Sequence, residues 1–400
     1  GKMILFDYDK AVHLMERQGI DILLPHTLMN AGYLADHWVH DQHTSFHPYM
    51  ALDMNEVYLL MVGLPRDQQI EPFITCRRDI EEGDMYSSGV WIEDRLIWGP
   101  NMPPRSVNTP LPPVTKLYST PFEAAAVALK ERGLHRSTIG VEYRNLGVDM
   151  FETLGVLLPD AEFRDVGPLF RELRAVKSDE EIRRIRHAVK ATEAAHKVFY
   201  QNVRPGMTGL DIESLYGLEH YRAGARHEWM HIWLGIRGIE IECPDAAEVK
   251  AGEFVLIDVG CSYKHYTSDV LSMTAVGDPN PKIMSIHAAI LRAYDATLEV
   301  VRPGTPVKQV YETGKLALER EGIEPFIWFL GHGIGRDVHD EPYLDKGSKY
   351  VLEKNMPLAL EFSIREPELG GIAVEDNILV TADGYESLST TSREMHFATV

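Results

Sequence analysis

Four hundred residues, 44% hydrophobic and 25% charged, describe a globular protein large enough for two ordinary domains. The formal net charge of -20 and a pI of about 5.3 oppose contact with phosphate backbones, so nucleic acid is not an expected partner. No apolar run approaches the roughly 18 residues of a membrane span. The opening GKMILFDYDKAV lacks the pattern of a signal peptide, and Cys76, Cys243 and Cys261 are scattered, so reduced thiols and a cytoplasmic location are expected.

Along the chain, DKAVHLMERQGIDILLPH predicts a helix stopped at Gly19 and a buried strand over Ile20 to Leu24. ADHWVHDQHTSFHPYM gathers His37, His40, His43 and His47, which suits either a metal-binding tract or a substrate-facing loop. VYLLMVGLP predicts a further strand, and PFEAAAVALKERGLHRSTIGVEY repeats helix, glycine stop and strand. Helices alternating with apolar strands imply an α/β domain. The proline-rich GPNMPPRSVNTPLPPVTK is expected to be an irregular surface excursion.

A second domain is expected from about residue 175. In RAVKSDEEIRRIRHAVKATEAAHKVF, Ser178 and Glu181 fit a capping box, and Ile182, Ile185, Val189, Val198 and Phe199 recur at helical spacing. The expected domains are therefore 1–174 and 175–400. Within the second, NVRPGMTGLDIESLYG and VVRPGTPVKQVYETGK share helix, Val-Arg-Pro-Gly and helix, with Val203 and Val301 98 positions apart. That repeat implies a pseudo-two-fold domain with helices outside and a curved antiparallel sheet inside.

His227-Glu228-Trp229-Met230-His231 matches H-E-x-x-H, the helix signature of zinc proteases. Its surroundings, EWMHIWLGI, are rich in Trp and Ile and close on Gly235, which predicts a strand instead. Along a strand the two histidines stand about 13 Å apart, too far to share an ion directly. The segment is expected to wall a pocket, with Trp229, His231 and Trp233 on one face.

The densest chemistry follows. GEFVLIDVGCSYKHYTSDVLSMTAVG predicts a hairpin: a strand over Phe254 to Ile257, then Asp258, a turn region over Gly260 to Tyr266, and Asp269 on the returning strand. An acid at the end of an apolar strand is costly unless paired, hydrogen-bonded or on a metal. In WFLGHGIGRDVHDEPYL, His332 sits between Gly331 and Gly333, which let backbone crowd a ligand, and His339 follows seven residues later. In MPLALEFSIREPELGGIAVEDNILVT, Glu361 ends an apolar alternating run and Glu375 lies inside a strand. Each residue alone has an ordinary structural explanation. Together, four carboxylates and one imidazole suit a pair of manganese, cobalt, iron or zinc ions.

Through IGVEY, LRAVKSDEEI, VRPG, LIDVGCSYKHYTSD, GHGIGRDVHDEP and VEDNILVT, the chain resembles the pita-bread metalloenzymes of peptidase family M24. These include methionine aminopeptidases, Xaa-Pro aminopeptidases, prolidases and the creatinase branch. The resemblance implies an α/β N-terminal domain plus an α+β pita-bread C-terminal domain. It implies Asp258, Asp269, His332, Glu361 and Glu375 as ligands of two divalent ions. Glu361 would also carry the proton of the attacking water, and His339 would contact substrate near the scissile bond. It further implies a homodimer in which one N-terminal domain reaches the partner's active site, so Trp38, His43 and His47 are expected to help select substrate.

Three departures alter the expected substrate. The histidine that peptidases of this family carry before the GEFVLID strand is missing at or near Ile241. DVLSMT stands where Asp-Ile-Thr-Arg-Thr is usual, and Phe362-Ser363 replaces Pro-Gly. Two enzyme readings follow. One is an Xaa-Pro dipeptidase or aminopeptidase that cleaves a C–N bond of a short peptide with metal-activated water. The other acts on a small zwitterionic molecule, as creatinase, ectoine hydrolase or one dimethylsulfoniopropionate lyase does. In either, His231 and Trp233 are expected to touch substrate where the usual histidine does not. A non-catalytic binding module is a third reading, opposed by five retained ligands.

Overall fold

The computed structural model of the chain describes residues 3–37, 60–78, 90–99, 116–237, 243–324 and 329–398. The chain divides into two compact units, Gly1–Arg174 and Ala175–Val400.

In the first unit, Asp7 accepts the Lys10 N–H and Gly19 turns left-handed at φ 64°, which bounds α1 (Tyr8–Gln18). The Ile20 N–H is spent on Met15 O at this helix stop, so β1 (Ile22–Leu23) is shorter than the apolar run predicts. After α2 (Ala31–Ala35) come β2 (Met61–Pro65), β3 (Phe73–Arg77), β4 (Asp94–Trp98), α3 (Pro121–Glu131), β5 (Thr138–Val141), α4 (Val148–Leu157), β6 (Glu162–Asp165) and α5 (Gly167–Ala175). The six strands form one mixed sheet in the order β4-β3-β2-β1-β5-β6. Ile22, Met61, Phe73, Phe122, Ile139 and Leu154 pack its core against α3 and α4. The glutamate of IGVEY, Glu142, is buried and accepts from His26 N, Thr27 N, Thr27 Oγ1 and Asn30 Nδ2, which satisfies its charge without a metal.

The second unit is a repeat. Its first half runs α6 (Asp179–Asn202), α7 (Gly209–Arg222), β7 (Arg226–Leu234), β8 (Phe254–Tyr263), β9 (Tyr266–Thr267) and β10 (Val270–Val276). Its second runs α8 (Pro281–Leu298), α9 (Val307–Arg320), β11 (Gly331–Gly333), β12 (Asp340–Tyr343), β13 (Pro357–Glu366), β14 (Gly370–Val380), β15 (Tyr385–Ser387) and β16 (His396–Ala398). The predicted capping box is formed: Ser178 Oγ accepts the Glu181 N–H, and Glu181 accepts the Ser178 N–H.

Main-chain bonds reproduce the sequence repeat. Gly206 and Gly304 end the two Val-Arg-Pro-Gly stops at φ 90° and 87°, a backbone that favours glycine. The Gly206 N–H donates to Val249 O at 2.9 Å, and the Gly304 N–H to Leu352 O at 2.8 Å. The Thr208–Glu248 and Pro306–Val351 bridges then match as well. The domain is the α+β pita-bread fold with an internal pseudo-two-fold.

Its inner layer is not one ladder. Two five-stranded sheets form, β16-β10-β8-β7 with β9 paired to β8, and β12-β11-β13-β14-β15. Where β10 meets β14, the side chain of Asn377 rather than a strand bonds the backbone at Asp269. Among the described residues no helix is long and apolar enough to cross a membrane.

Candidate metal centre

Strand β8 continues through Gly260 to Tyr263, so Asp258 lies within it rather than at its end. Pairing persists because β7 flanks β8 to this point, with the Trp229 indole over Gly260, where a Cβ would sit 1.9 Å from the ring. The predicted turn region shrinks to Lys264-His265, both left-handed at φ 48° and 66°. Asp269 falls just before β10, not on it. On the other sheet, β13 and β14 place Glu361 directly opposite Glu375, so both carboxylates share one face. Glu361 is thus mid-strand as well, because β13 runs on to Glu366.

His332 rides on β11, paired with Ala359 two residues before Glu361. Its flanking glycines serve strands, not a ligand. A Cβ on Gly331, at φ 124°, would lie 2.1 Å from Ala359 O, and one on Gly333 would lie 2.2 Å from Glu341 O. His332 Nδ1 lies 3.0 Å from Gly333 O, which holds the proton there and leaves the Nε2 lone pair 3.4 Å from Asp269 Oδ2.

The fold thus draws the five residues together. Ligand atoms of Asp258, Asp269 and Glu375 lie within 4.8 Å of one another, as do those of His332, Glu361 and Glu375, and those of Asp269, His332 and His339. Burial, then the charge of Asp269, holds Asp258 well above the usual carboxylate range. Burial and Glu361 push Asp269 up to about 8, and burial and Asp258 push Glu361 up to about 8. Burial and the three other acids raise Glu375 strongly. Burial depresses His332 to about 4, keeping the imidazole neutral. Asp258 Oδ1, Glu375 Oε2 and His332 Nε2 are buried without a hydrogen-bond partner. Four carboxylates cannot all ionise in so dry a cleft, whereas two divalent cations would neutralise them and occupy those orphaned atoms. The residues fit such ions.

His339 stands beside the cluster, its ring centroid 4.0 Å from that of His332. Phe329 and Tyr343 meet it edge-on at 6.4 and 6.1 Å. Burial and His332 hold it neutral, depressed to about 3. His231 pairs with Asp258 across β7 and β8, so it shares the Asp258 face; its Nδ1 is buried without a hydrogen bond, and Trp233 lies 6.4 Å away. Trp38, His43 and His47 lie outside the described residues, as does Ile241.

The H-E-x-x-H match is a strand with a bulge. Register shifts between His227 and Trp229, leaving Glu228 as the extra residue. In a regular strand His227 and His231 would share a face; the bulge puts them on opposite faces. His227 stacks on His220 of α7, with Nδ1 atoms 3.0 Å apart, while His231 faces the cluster. Glu228 accepts from Ser262 Oγ at 2.5 Å. At the other departures, Ser272 Oγ bonds Tyr200 Oη at 2.9 Å, and Phe362 turns into the core against Tyr294.

One residue at the cluster escaped the sequence reading. Asn377 is buried two positions beyond Glu375 and grips the Asp269 backbone at both ends. The only signal for it was a third polar residue, after Glu375-Asp376 and before the apolar run Ile378 to Val380.

Residues 183–382 match the model of metallopeptidase family M24, and residues 8–176 match the creatinase/prolidase N-terminal domain. The chain is 26% identical over 372 residues to the putative dipeptidase YkvY of Bacillus subtilis (strain 168), covering 92% of this chain and 96% of that one. It is 27% identical over 263 residues to the Xaa-Pro dipeptidase of Pyrococcus furiosus, covering 64% and 75%. The solved Xaa-Pro dipeptidase from Bacillus anthracis superposes with a TM-score of 0.79 at 21% identity, over 98% of both chains.

Proposed function

The chain belongs to metallopeptidase family M24, a family of divalent-metal-dependent hydrolases, and from that premise we propose that it is an Xaa-Pro dipeptidase or aminopeptidase with a dinuclear centre. In this reading residues 1–174 are the creatinase/prolidase-like domain and 175–400 the catalytic domain. Asp258, Asp269, His332, Glu361 and Glu375 hold two ions of manganese, cobalt, iron or zinc. The observation that carries the reading is the cluster of four carboxylates and one neutral imidazole, buried at Asp269, His332 and Glu375 and partly buried at Asp258 and Glu361, with orphaned acceptor atoms. When bound, the ions supply positive charge that acidifies water and polarises the substrate carbonyl.

The chain's own residues do the rest. Glu361, within the cluster, takes the proton of the attacking water and returns it to the leaving nitrogen. His339, neutral beside His332, contacts the substrate near the scissile bond and stabilises charge developing on it. His231 and Trp233 wall the pocket on the Asp258 side. His43 and His47 act in substrate selection across a homodimer, where one N-terminal domain approaches the partner's site. A cytoplasmic location accompanies this reading.

A second reading is favoured by the histidine that peptidases of the family carry near Ile241 and this chain lacks. A small zwitterionic substrate, cleaved by hydrolysis or elimination, needs no such group at a scissile amide. The missing arginine does not bear on the pocket: Ser272 pairs with Ile257, turns away from the Asp258 face and bonds Tyr200. An activity panel on metal-reconstituted protein separates the two: Xaa-Pro dipeptides, longer Xaa-Pro peptides, creatine, ectoine and dimethylsulfoniopropionate. Turnover of the Xaa-Pro substrates supports the first reading. Turnover of a zwitterion alone replaces it with the second, and no turnover by metal-loaded protein defeats both.

A further inference from the structure

We propose that Asn377 is a positioning residue that clasps the two halves of the metal centre together and sets the place of Asp269; this rests on the metal reading above. The ligands come in two half-sets. Asp258 and Asp269 belong to the β7–β10 sheet, and His332, Glu361 and Glu375 to the β11–β15 sheet. No strand pairing joins β10 to β14 among the described residues. Asp269 lies in the short irregular step between β9 and β10, where its main chain has left the ladder.

Asn377 fills that gap. The Asp269 N–H donates to Asn377 Oδ1 at 3.0 Å, and Asn377 Nδ2 donates to Asp269 O at 2.6 Å. A primary amide meeting both ends of one residue's backbone imitates a strand partner. The side chain is wholly buried, so water does not compete for either bond. Asn377 is itself fixed in β14, paired with Ala359 of β13, which in turn pairs with His332. The same rung that carries His332 therefore holds Asp269 in register with it, and Glu375 is two residues away on the same face of β14.

The chemistry needs this because Asp269 belongs to two of the three ligand groupings, so a small displacement of it opens both. Asp258 is held by its strand pairing to β7 and β10. Asp269 has no such ladder, and its backbone depends on this amide.

The test uses full-length protein stripped with chelator and titrated with Mn2+ by calorimetry. Four proteins are compared: wild type, Asn377→Ala, Asn377→Leu and Thr274→Ala. Leu has nearly the size of Asn but neither accepts the Asp269 N–H nor donates to Asp269 O. Thr274 is buried on β10 with an unbonded hydroxyl, and its variant reports a core change remote from Asp269. Near-UV circular dichroism and the visible spectrum of the Co2+-loaded proteins are recorded alongside. The expected result is two equivalents on wild type and Thr274→Ala. Both Asn377 variants should bind the weaker equivalent about 10–100-fold less tightly, with altered Co2+ bands and an unchanged near-UV spectrum. Should Asn377→Ala not fold, the similarly sized Asn377→Leu decides. Wild-type affinity for both equivalents in the folded Asn377 variants overturns the clasp and leaves the metal reading standing. So does equal weakening in Thr274→Ala. A wild-type protein that takes up no Mn2+ overturns the metal reading and the clasp with it.

Discussion

Replacing Glu361 by Gln should stabilise the metal-free protein while destroying its response to metal. Glu361 opposes Glu375 in register, is partly buried, and is pushed up to about 8 by desolvation and then by Asp258. A carboxyl whose folded value exceeds its unfolded value near 4.5 costs nothing below 4.5 and costs more as pH rises toward 8. At pH 7 the excess is about 2.5 pH units at about 1.4 kcal/mol each, or roughly 3 kcal/mol. Glutamine keeps the shape and removes the ionisation. Stripped Glu361→Gln should therefore melt higher than stripped wild type at pH 7, by on the order of 5–10 °C for a domain of this size. At pH 5 the gap should nearly close. Added Mn2+ should raise the wild-type midpoint well above the variant's and move the variant little. Scanning calorimetry with chelator and with Mn2+ at both pH values reads all four numbers. Coincident melting of the two stripped proteins at pH 7 refutes the crowded-carboxylate argument, as does an equal Mn2+ response.

Other perturbations separate roles within the same unit. His339→Ala should keep two equivalents of metal and lose about 10²–10³-fold in kcat, measured on whichever substrate the panel identifies; loss of an equivalent would make His339 a ligand instead. Gly331→Ala should cost more than about 3 kcal/mol in urea unfolding, because its Cβ would meet the Ala359 carbonyl at 2.1 Å and φ is 124°; a cost under 1 kcal/mol would show that β11 shifts freely. His196 is buried against Tyr216 Oη at 2.6 Å and depressed by burial to about 3. It stays neutral in the fold while the unfolded chain protonates near 6.5, so its contribution is full above pH 6.5 and is lost as pH falls toward 3. Relative to His196→Gln, wild type should lose about 2 kcal/mol more between pH 7 and pH 5 in urea melts; parallel losses would contradict this.

What could be read in the sequence was whatever is local or repeated. The capping box at Ser178, the left-handed stop at Gly19 and the two Val-Arg-Pro-Gly turns follow from side-chain and backbone chemistry within a few residues. Alternating apolar runs placed Glu361 and Glu375 on strands. Their ends were misjudged because strands β8 and β13 extend as far as a neighbour pairs with them. Gly260 looks like a turn until Trp229 covers it. The bulge at Glu228 was hidden for the same reason: it comes from register against β8, and H-E-x-x-H carries no mark of it. The glycines around His332 pointed to close approach, but only the fold shows that the approaching group is the neighbouring backbone. Asn377 was unreadable because its partner is 108 residues away in the chain and is a main-chain segment rather than a complementary side chain.

We propose that both halves of the repeat hold one pair of divalent ions. The direct test is anomalous diffraction from crystals of the Mn2+-loaded protein. Two manganese peaks about 3.5–4 Å apart are expected, ligated by Asp258, Asp269, His332, Glu361 and Glu375. No peak at this cluster in protein shown by elemental analysis to carry manganese, or a single peak that none of the five touches, would contradict it.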